Sequence, residues 1–514
     1  LKGSDFVFRE IYRLLEQTTK AFVPDKKLQP LDILSMAGRA LFFRFLIDRK
    51  IVLENELSII CPPASAGDLK DAFSSSEKAA ATSAWLDETF NGDFLRLIDE
   101  DLPDNDRPAR EAAYRRFYNR VEKSAGRRFF AHLEAILRGW PATGDGHQRT
   151  LDWNDFDFAH ITVGVLSQVY ENFSHLVDEE AARQTSVHYT PRLIAELMVN
   201  QTFAATPAAK RATAKVLDPS CGAGIFLVLA FRRLVRERWQ SDGGTPADRP
   251  DTAKIQHILY HQLRGLDLSE AALRLAALSL YITAIELNAT PRPPNKLKFP
   301  RSLRDRVLFN VADPGEQTRA FSRGSLGPRA PAEFVQAFDI VIGNPPWTRL
   351  REEAPENTAA KAAARSAKQS VSGLLNDSFT EIGQRVLRAR NFAELADRYE
   401  NPAKNPDLPF LWRATEWAKP DALIAFALPA HLIGRTSGKG FVAWQSILRS
   451  IHLTGVINGA DLRWSQVWKG IKAPFVLLFA RNSIPKPNHR FYFTAPTNDP
   501  GQNALGRFRI DYEA

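Results

Sequence analysis

The sequence predicts an α/β protein in which a doubly wound, mostly parallel sheet follows an all-helical N-terminal domain. In the first part of the chain, apolar residues such as Leu34, Leu41 and Phe45 recur with the three-to-four residue spacing of an amphipathic helix. Further on, short apolar runs such as 338–342 and 423–428 alternate with helical segments. This alternation is typical of parallel strands joined by helices, and it is the main reason for expecting a doubly wound sheet.

The length of the chain predicts more than one domain, since 514 residues exceed what a single apolar core usually organises. We expect a helical N-terminal domain at 1–155, the sheet domain at 156–485 and the beginning of a C-terminal region at 486–514. The chain begins without Met and ends just after the strand-like run 507–510, so we expect it to be a fragment of a longer polypeptide.

Composition narrows the class of protein. Hydrophobic residues make up 44% and charged residues 25% of the chain, as in a globular protein. The net charge of +9 favours a polyanionic partner, although a generally basic soluble protein is the alternative. Cys61 and Cys221 are too few for a disulfide framework or a four-thiolate zinc site. No apolar stretch reaches the roughly 20 residues of a membrane span, and we expect a cytoplasmic protein.

One predicted helical region combines basic and aromatic residues. The pattern permits two interpretations, a face that contacts phosphates or a solvated basic face whose aromatic residues turn to the core, and we favour the second. The basic residues are Arg115, Arg116, Arg120, Lys123, Arg127 and Arg128, and the aromatic residues between them are Tyr114, Phe117, Tyr118, Phe129 and Phe130.

A glycine-containing loop follows the predicted strand that ends at Leu217, and an apolar helix begins a few residues later. Small residues allow the backbone to approach a ligand closely, and the start of a helix offers N–H groups without helical partners. A loop in this position directly after a strand is typical of a nucleotide-type cofactor site. The candidate cofactor-binding residues of the loop are Asp218, Cys221, Gly222, Gly224 and Phe226.

The next predicted strand ends at Asp267. An acidic residue at the tip of the second strand of a doubly wound sheet binds the ribose hydroxyls of an adenosine-containing ligand. A second interpretation is that Asp267 caps the helix that starts near Glu270, because Asp is a favoured N-cap residue. We favour ribose binding, and the two roles are compatible.

The apolar run 338–342 leads into Asn344, Pro345, Pro346 and Trp347. Methylation of an exocyclic amino group needs acceptors that hold both N–H bonds and turn the nitrogen lone pair outward. The side-chain oxygen of Asn344 and the carbonyl of Pro345 can be those acceptors, because two successive prolines fix φ and remove competing N–H donors. Trp347 offers a face on which a flat base can stack. A Pro-Pro turn after a strand is the alternative interpretation of the tetrapeptide alone.

These motifs, in this order, resemble the S-adenosylmethionine-dependent amino methyltransferases of DNA in the gamma arrangement. In that arrangement a Thr-Pro motif precedes the glycine loop, and Thr190-Pro191 has this place. The segment 166–173 resembles the junction between the helical and catalytic domains of type I modification subunits and single-chain type II restriction-modification enzymes. The resemblance covers roughly residues 160–480 and implies that the sheet is a class I, Rossmann-like methyltransferase fold.

The resemblance also implies how S-adenosylmethionine is bound. Thr190 corresponds to a residue at the methionine end of the cofactor, and Asp218 with the glycine loop to its methionine and sulfonium region. Asp267 corresponds to the residue that binds the ribose. Asp313 matches the acidic residue that accepts from the adenine amino group, and Pro314 follows it where relatives often have an aromatic residue.

The mechanism implied by the resemblance is direct transfer of the methyl group to a base flipped out of the duplex. Asn344 and Pro345 hold the amino group, while Trp347 and Trp468 form two stacking walls, with simple burial of Trp468 as the alternative. We expect no metal and nominate no catalytic carboxylate, because the attacking nitrogen needs no general base. The segment 352–372 is expected to be a mobile flap over the substrate, with an ordered helical insertion as the alternative.

We therefore expect an enzyme that methylates the N6 amino group of adenine in double-stranded DNA, in restriction-modification or phage defence. N4 methylation of cytosine is the closest alternative. A protein-glutamine or RNA methyltransferase and a non-catalytic DNA-binding or assembly module are further alternatives. No segment after about residue 480 is long enough to recognise a DNA sequence, so we expect a specificity subunit, a defence-system partner or further sequence to do so.

Overall fold

A computed structural model of the chain describes residues 28–61, 67–90, 95–98, 106–138, 190–245, 250–288, 302–312, 323–347, 358–402, 405–433, 437–463, 465, 467, 468, 471, 473–496, 510 and 511. The predicted junction 166–173 and the predicted adenine-binding residue Asp313 lie outside these ranges. Within the ranges, no helix is both long and apolar enough to cross a membrane.

The N-terminal part is helical, as predicted. Its helices meet in an apolar core that contains the buried side chains of Phe42, Phe45 and Trp85. The helices are α1 (Pro30–Asp48), α2 (Leu57–Ile60), α3 (Ser76–Phe90), α4 (Arg107–Ala125) and α5 (Arg128–Arg138).

Helix α4 and the start of α5 carry the basic and aromatic pattern. Their five aromatic side chains are at most 6% exposed and belong to the core of the helical part. The six basic residues that interleave with them are all exposed. The aromatic side chains turn inward, as the favoured interpretation expected, and the exposed basic side chains fit either interpretation, so contact of this face with phosphates stays a prediction.

The second part of the chain contains a mixed sheet. The strands are β1 (Val216–Asp218), β2 (Leu263–Asp267), β3 (Leu308–Asn310), β4 (Phe338–Gly343), β5 (Ala418–Pro429), β6 (His452–Asn458), β7 (Phe475–Arg481), β8 (Tyr492–Thr494) and β9 (Ile510–Asp511). Among the described residues their order is β3-β2-β1-β4-β5-β7-β6-β8-β9. The first five strands are parallel, and β7 runs antiparallel between β5 and β6. This confirms the predicted fold class.

Helices cover both faces of the sheet. Because successive strand residues point to opposite faces, Ile340 and Ile342 of β4 belong to one apolar core and Val341 to a second. The helices are α6 (Arg192–Ala205), α7 (Ala208–Arg211), α8 (Ile225–Ser241), α9 (Thr252–Gln262), α10 (Glu270–Leu287), α11 (Thr358–Ala389), α12 (Ala393–Arg398), α13 (Asp407–Trp417) and α14 (Gly438–Ser450).

The helical part packs against α8 and α10 of the sheet part, and the two share one apolar core. Glu286 of α10 accepts from Arg49 of α1 at 2.7 Å and also binds Arg232 of α8. Near the start of α10, Arg274 donates to Ser35 Oγ at 2.9 Å. The boundary expected near residue 155 falls outside the described residues, so the division into domains stays a prediction.

The segment 352–372, expected to form a flap, overlaps the longest helix of the described chain. Helix α11 begins at Thr358, so the backbone of 358–372 is helical. This agrees with the alternative interpretation, an ordered helical insertion. Movement of this segment over a substrate stays a prediction.

Candidate active site

The predicted site residues meet at the carboxyl edge of the parallel strands. Asp218 ends β1, Asp267 ends β2, and Asn344 directly follows β4. Strand β1 lies between β2 and β4, so these three side chains come from adjacent strands. Ligands of doubly wound sheets bind at this edge.

The glycine loop is held tightly against its neighbours. The Gly222 N–H donates to Asp267 Oδ2 at 2.9 Å. Gly224 is the N-cap residue of α8 and has φ of 87°, and a Cβ there would lie 3.1 Å from the Cβ of Ala276. A side chain at this position would therefore be strained by the positive φ and crowded by Ala276. Only glycine lets the start of α8 approach α10 this closely.

Two predicted cofactor-binding residues of the loop have buried side chains. Cys221 is 4% exposed and Phe226 is 2% exposed, and both belong to the apolar core. Burial raises the pKa of the Cys221 thiol well above its usual range. The Cys221 N–H donates to the carbonyl of Leu266 at 2.9 Å. The Cys221 carbonyl accepts from the Gly224 N–H at 2.8 Å, so the Cys221 backbone and the two buried side chains shape the loop from within.

The Asp267 carboxylate bridges the glycine loop and the turn after β2. Besides the bond from Gly222, its Oδ1 accepts from the Ser269 N–H at 2.8 Å. The N-cap residue of α10 is Ser269, whose Oγ accepts from the Ala272 N–H at 3.3 Å. The alternative that Asp267 caps this helix was therefore wrong. Each carboxylate oxygen has two lone pairs, so Asp267 can accept ribose hydroxyls while it holds the loop.

Asp218 is a buried acidic group that forms no salt bridge with the described residues. Its side chain is fully buried, Oδ1 accepts from the Ser220 N–H at 3.1 Å, and Oδ2 has no hydrogen-bond partner within the described residues. Burial raises the pKa of this carboxyl well above its usual range, and the nearby charge of Asp267 raises it further. A carboxyl group in this state fits a cationic ligand group, because a positive charge would favour its ionised form. The ammonium and sulfonium groups of S-adenosylmethionine are such groups.

Two residues that shape this edge were not predicted from the sequence. A Cβ on Gly343 would lie 2.7 Å from Asp218 Oδ1, so glycine is required where β4 passes the carboxyl group. The buried Ser325 Oγ donates to the carbonyl of Pro219 at 2.5 Å and fixes the turn after β1. A glycine directly before Asn344 was a visible signal. Ser325 had none, because 106 residues separate it from Pro219.

The structure places Thr190 against Asn344. Asn344 Nδ2 donates to Thr190 Oγ1 at 2.9 Å, and the Thr190 side chain is 5% exposed. Pro191 is the N-cap residue of α6. The motif upstream of the glycine loop thus meets the motif after β4 through a direct hydrogen bond.

The two predicted stacking walls contact each other. The ring centroids of Trp347 and Trp468 are 5.3 Å apart at an interplanar angle of 60°, and Trp468 also packs on Phe475 at 4.9 Å. Trp347 Nε1 donates to the carbonyl of Ala427 at 3.1 Å. Both indoles are at most 4% exposed. A base stacked between two rings needs them about 7 Å apart, so this state has the buried Trp468 of the alternative interpretation and not two open walls.

Metal binding has no support in the described ranges. No three His, Cys, Asp or Glu side chains there are grouped to hold a metal ion. His257 and His261, spaced one helical turn apart, lie on α9 with their ring centroids 4.8 Å apart.

The known proteins to which this chain is similar include DNA methyltransferases. Residues 162–371 match the N-6 DNA Methylase family. The adenine-specific methyltransferase PglX of Streptomyces coelicolor is 24% identical over 214 residues, which are 37% of this chain and 16% of PglX. The chain therefore corresponds to a small part of that curated relative.

Two solved structures were also compared. The type IIL restriction-modification enzyme MmeI in complex with DNA has a TM-score of 0.52 at 13% identity, over 98% of this chain and 60% of MmeI. The methyltransferase subunit of a type I restriction-modification system from Streptococcus thermophilus has a TM-score of 0.46 at 15% identity, over 96% and 90% of the two chains. The likeness to MmeI supports the fold alone. Residues 162–371 of this chain are thus similar to the N-6 DNA methylases, which is the resemblance that its motifs predicted.

Proposed function

We propose that this chain is an S-adenosylmethionine-dependent DNA methyltransferase that modifies the N6 amino group of adenine. One arrangement carries the proposal. The backbone of Gly343 passes directly beside the buried carboxyl of Asp218, so that Asn344, the next residue, adjoins the site suited to a cationic cofactor. The match to N-6 DNA methylases and the similarity to an adenine-specific methyltransferase support adenine as the base.

The residues at the strand ends are suited to bind different chemical groups of the cofactor. Asp218 would face its cationic methionine end, the N–H groups at the start of α8 would face its carboxylate, and Asp267 would accept from its ribose. We keep Asp313 as the proposed partner of the cofactor's adenine amino group. When bound, S-adenosylmethionine supplies an electrophilic methyl group on a sulfonium sulfur.

The amino group of the base would be held by two acceptors. Asn344 Oδ1 and the carbonyl of Pro345 would take one N–H each, which turns the nitrogen lone pair towards the methyl group. After transfer, the extra proton on the nitrogen is acidic and leaves to solvent or to a carbonyl oxygen. No side chain with a tuned pKa is needed for this chemistry, which fits a site whose acceptors are an amide and a backbone carbonyl.

A flipped base would enter beside Trp347. Because Trp347 and Trp468 contact each other in this structure, the base can stack between them only if the rings separate. We propose that DNA binding opens this pair, and that stacking of the flipped base on the separated rings offsets part of the cost of flipping the base and parting the rings.

The partners follow from the same proposal. The substrate is double-stranded DNA, and the net charge of +9 is consistent with a polyanion. We propose a role in restriction-modification or phage defence, in the cytoplasm, with a specificity subunit or defence-system partner that selects the DNA sequence.

The proposal is tested by methyl transfer to unmethylated genomic DNA. The chain is incubated in parallel with DNA, RNA or protein and with S-adenosylmethionine carrying an isotopically labelled methyl group, and the digested nucleosides and amino acids are analysed by mass spectrometry. We expect the label in N6-methyldeoxyadenosine. Label in N4-methyldeoxycytidine would instead identify a cytosine enzyme, and label found only in RNA or glutamine side chains would overturn the assignment to DNA.

A further inference from the structure

Most of the chain's net positive charge lies in one short segment. From Arg107 to Arg128 there are eight basic and two acidic residues, a net charge of +6, while the whole chain carries +9. The segment covers α4 and the turn to α5, in the helical part of the molecule. It takes no part in the predicted cofactor or base site.

The basic residues of α4 share one face of the helix. With 100° between successive residues, the exposed positions 115, 116, 119, 120 and 123 fall within an arc of about 140°. The opposite side packs on α3, where the Tyr114 hydroxyl donates to Asp87 Oδ2 at 2.5 Å and Tyr118 shares a 2.9 Å hydrogen bond with Ser83. Because these tyrosines are buried, the orientation of the helix is fixed and the basic face points to solvent.

Neighbouring acidic groups neutralise only part of this charge. Glu111 pairs with Arg115 at 2.9 Å and Glu122 pairs with Arg127 at 3.0 Å. These are the two acidic residues of the segment, and they are already included in its net charge of +6. Outside the segment, Glu88 of α3 lies 3.6 Å from Arg107, and Asp106 caps the start of α4. The positive field of the face is therefore expected to be strongest in the second half of the helix.

A cavity of about 510 Å³ lies at the beginning of this face. Its lining includes Arg107, Arg115 and Arg116, together with Glu111. Arg107 already donates to the carbonyls of Ile59 and Ile60 and pairs with Glu88, so we expect Arg115 and Arg116 to receive a phosphate oxygen here, since guanidinium groups bind phosphate through paired N–H donors.

We propose that the basic face of α4, formed by Arg115, Arg116, Arg120 and Lys123 and continued by Arg127 in the turn after the helix, binds the phosphate backbone of double-stranded DNA away from the target base. From Arg115 to Lys123 the face covers nine helical residues, about 13 Å, which matches roughly four base pairs of duplex with a phosphate charge every ~1.7 Å. The inference rests on the proposed function only in taking DNA as the polyanion.

The position of the aromatic residues decides between duplex and single strands. Proteins that bind single strands without sequence preference stack the bases on exposed aromatic rings. Here Tyr114, Phe117 and Tyr118 are all in the core, so the face offers charge without a stacking surface. Charge alone positions a duplex and does not read its sequence.

The test is the salt dependence of binding to a duplex of random sequence, about 30 base pairs long, measured by fluorescence anisotropy without cofactor. The variant combines Arg116→Gln, Arg120→Gln and Lys123→Gln, all at exposed positions, and its fold is checked by thermal melting. We expect the slope of log affinity against log salt to shrink by about 2 to 3, and the affinity at low salt to fall by at least ~10-fold.

The matched control removes the same charge from dispersed positions. Lys210, Arg329 and Arg449 are exposed, and Lys210→Gln, Arg329→Gln and Arg449→Gln together should leave the slope nearly unchanged. Equal losses in both triple variants, or no loss in the α4 variant, would overturn the inference, as would tighter binding of single-stranded DNA through the same residues. If the α4 variant loses binding but the wild-type chain methylates no DNA, the inference stands and the proposed function fails.

Discussion

Asn344 and Thr190 are joined by a hydrogen bond of 2.9 Å although 154 residues separate them in the sequence. The two arms of a carboxamide point in different directions. With Nδ2 directed at the Thr190 hydroxyl, Oδ1 is turned to the other side, where we propose that it accepts from the base. Thr190 is thus placed to orient the acceptor, which is a different task from the cofactor contact that the family resemblance implies.

This relationship predicts that removal of the Thr190 hydroxyl slows methyl transfer. Thr190→Val keeps the shape of the side chain but leaves the Asn344 amide without its orienting partner, and a small misplacement of a reacting group can lower kcat about 100-fold. Thr190→Ser keeps the hydroxyl and should restore most of the rate. A lower kcat with nearly unchanged KM for S-adenosylmethionine is expected. A large rise of that KM alone would assign Thr190 to the cofactor instead.

Asp218 predicts a pH dependence of stability. Its pKa is raised in the folded protein, first by burial, so the folded chain keeps this proton at pH values where the unfolded chain has lost it. Between the ordinary pKa of 3.8 and the raised pKa, this group's contribution to the free energy of unfolding decreases as pH rises.

Asp218→Asn removes that proton equilibrium and keeps an oxygen for the Ser220 N–H. The ligand-free variant should therefore lose less thermal stability than the wild type as the pH rises from about 5 to 9. Its S-adenosylmethionine affinity should also fall by at least ~10-fold, since the counter-charge of the cofactor is lost. Calorimetric melting and titration measure both effects. Parallel stability curves for the two proteins would contradict this account of Asp218.

Gly343 predicts a steric effect on the cofactor site. In Gly343→Ala the new methyl group would lie 2.7 Å from Asp218 Oδ1, so the carboxyl or the end of β4 has to move. We expect a loss of about 1–3 kcal/mol in stability, as for other overpacked sites, and weaker S-adenosylmethionine binding in titration calorimetry. Gly373→Ala in α11 is the control, because a Cβ there meets no atom within 4 Å. Identical binding by both variants would refute the close approach.

Substitution of Trp468 can separate an effect on protein stability from an effect on DNA binding. Trp468→Leu and Trp412→Leu each replace a buried indole, the second in the core on the opposite face of the sheet. Both should lower the melting temperature. If Trp468 also stacks on the flipped base, only its variant should raise the KM for DNA, by about 10-fold or more, since stacking contributes ~1–3 kcal/mol per base. An unchanged KM would leave Trp468 with burial alone.

Much of the sheet was predictable because its central strands are continuous apolar runs. The runs 338–342 and 423–428 both became strands, since strands buried on both faces need apolar residues at nearly every position. Strands β3 and β8 have three residues each and were missed. Such short strands are held by pairing with their neighbours, and pairing between distant segments leaves no periodicity in the sequence.

The candidate site was predictable in its residues and less so in its contacts. Strand-end positions brought Asp218, Asp267 and Asn344 to one edge, because the carboxyl ends of parallel strands align. The cap of α10 was predicted wrongly, since Asp267 and Ser269 are both good caps and only geometry separates them. The contact between Trp347 and Trp468 joins segments 121 residues apart, and residue type alone does not tell a stacking wall from a packed core.

The central claim, that Asn344 holds the amino group beside a separately formed cofactor site, is tested most directly by Asn344→Ala. On one preparation, single-turnover methyl transfer to DNA is measured together with calorimetric titration of S-adenosylmethionine. We predict that transfer falls by at least ~1,000-fold while cofactor affinity stays within about threefold of wild type, because only the acceptor of the base is removed. Transfer at the wild-type rate by the variant would contradict the account.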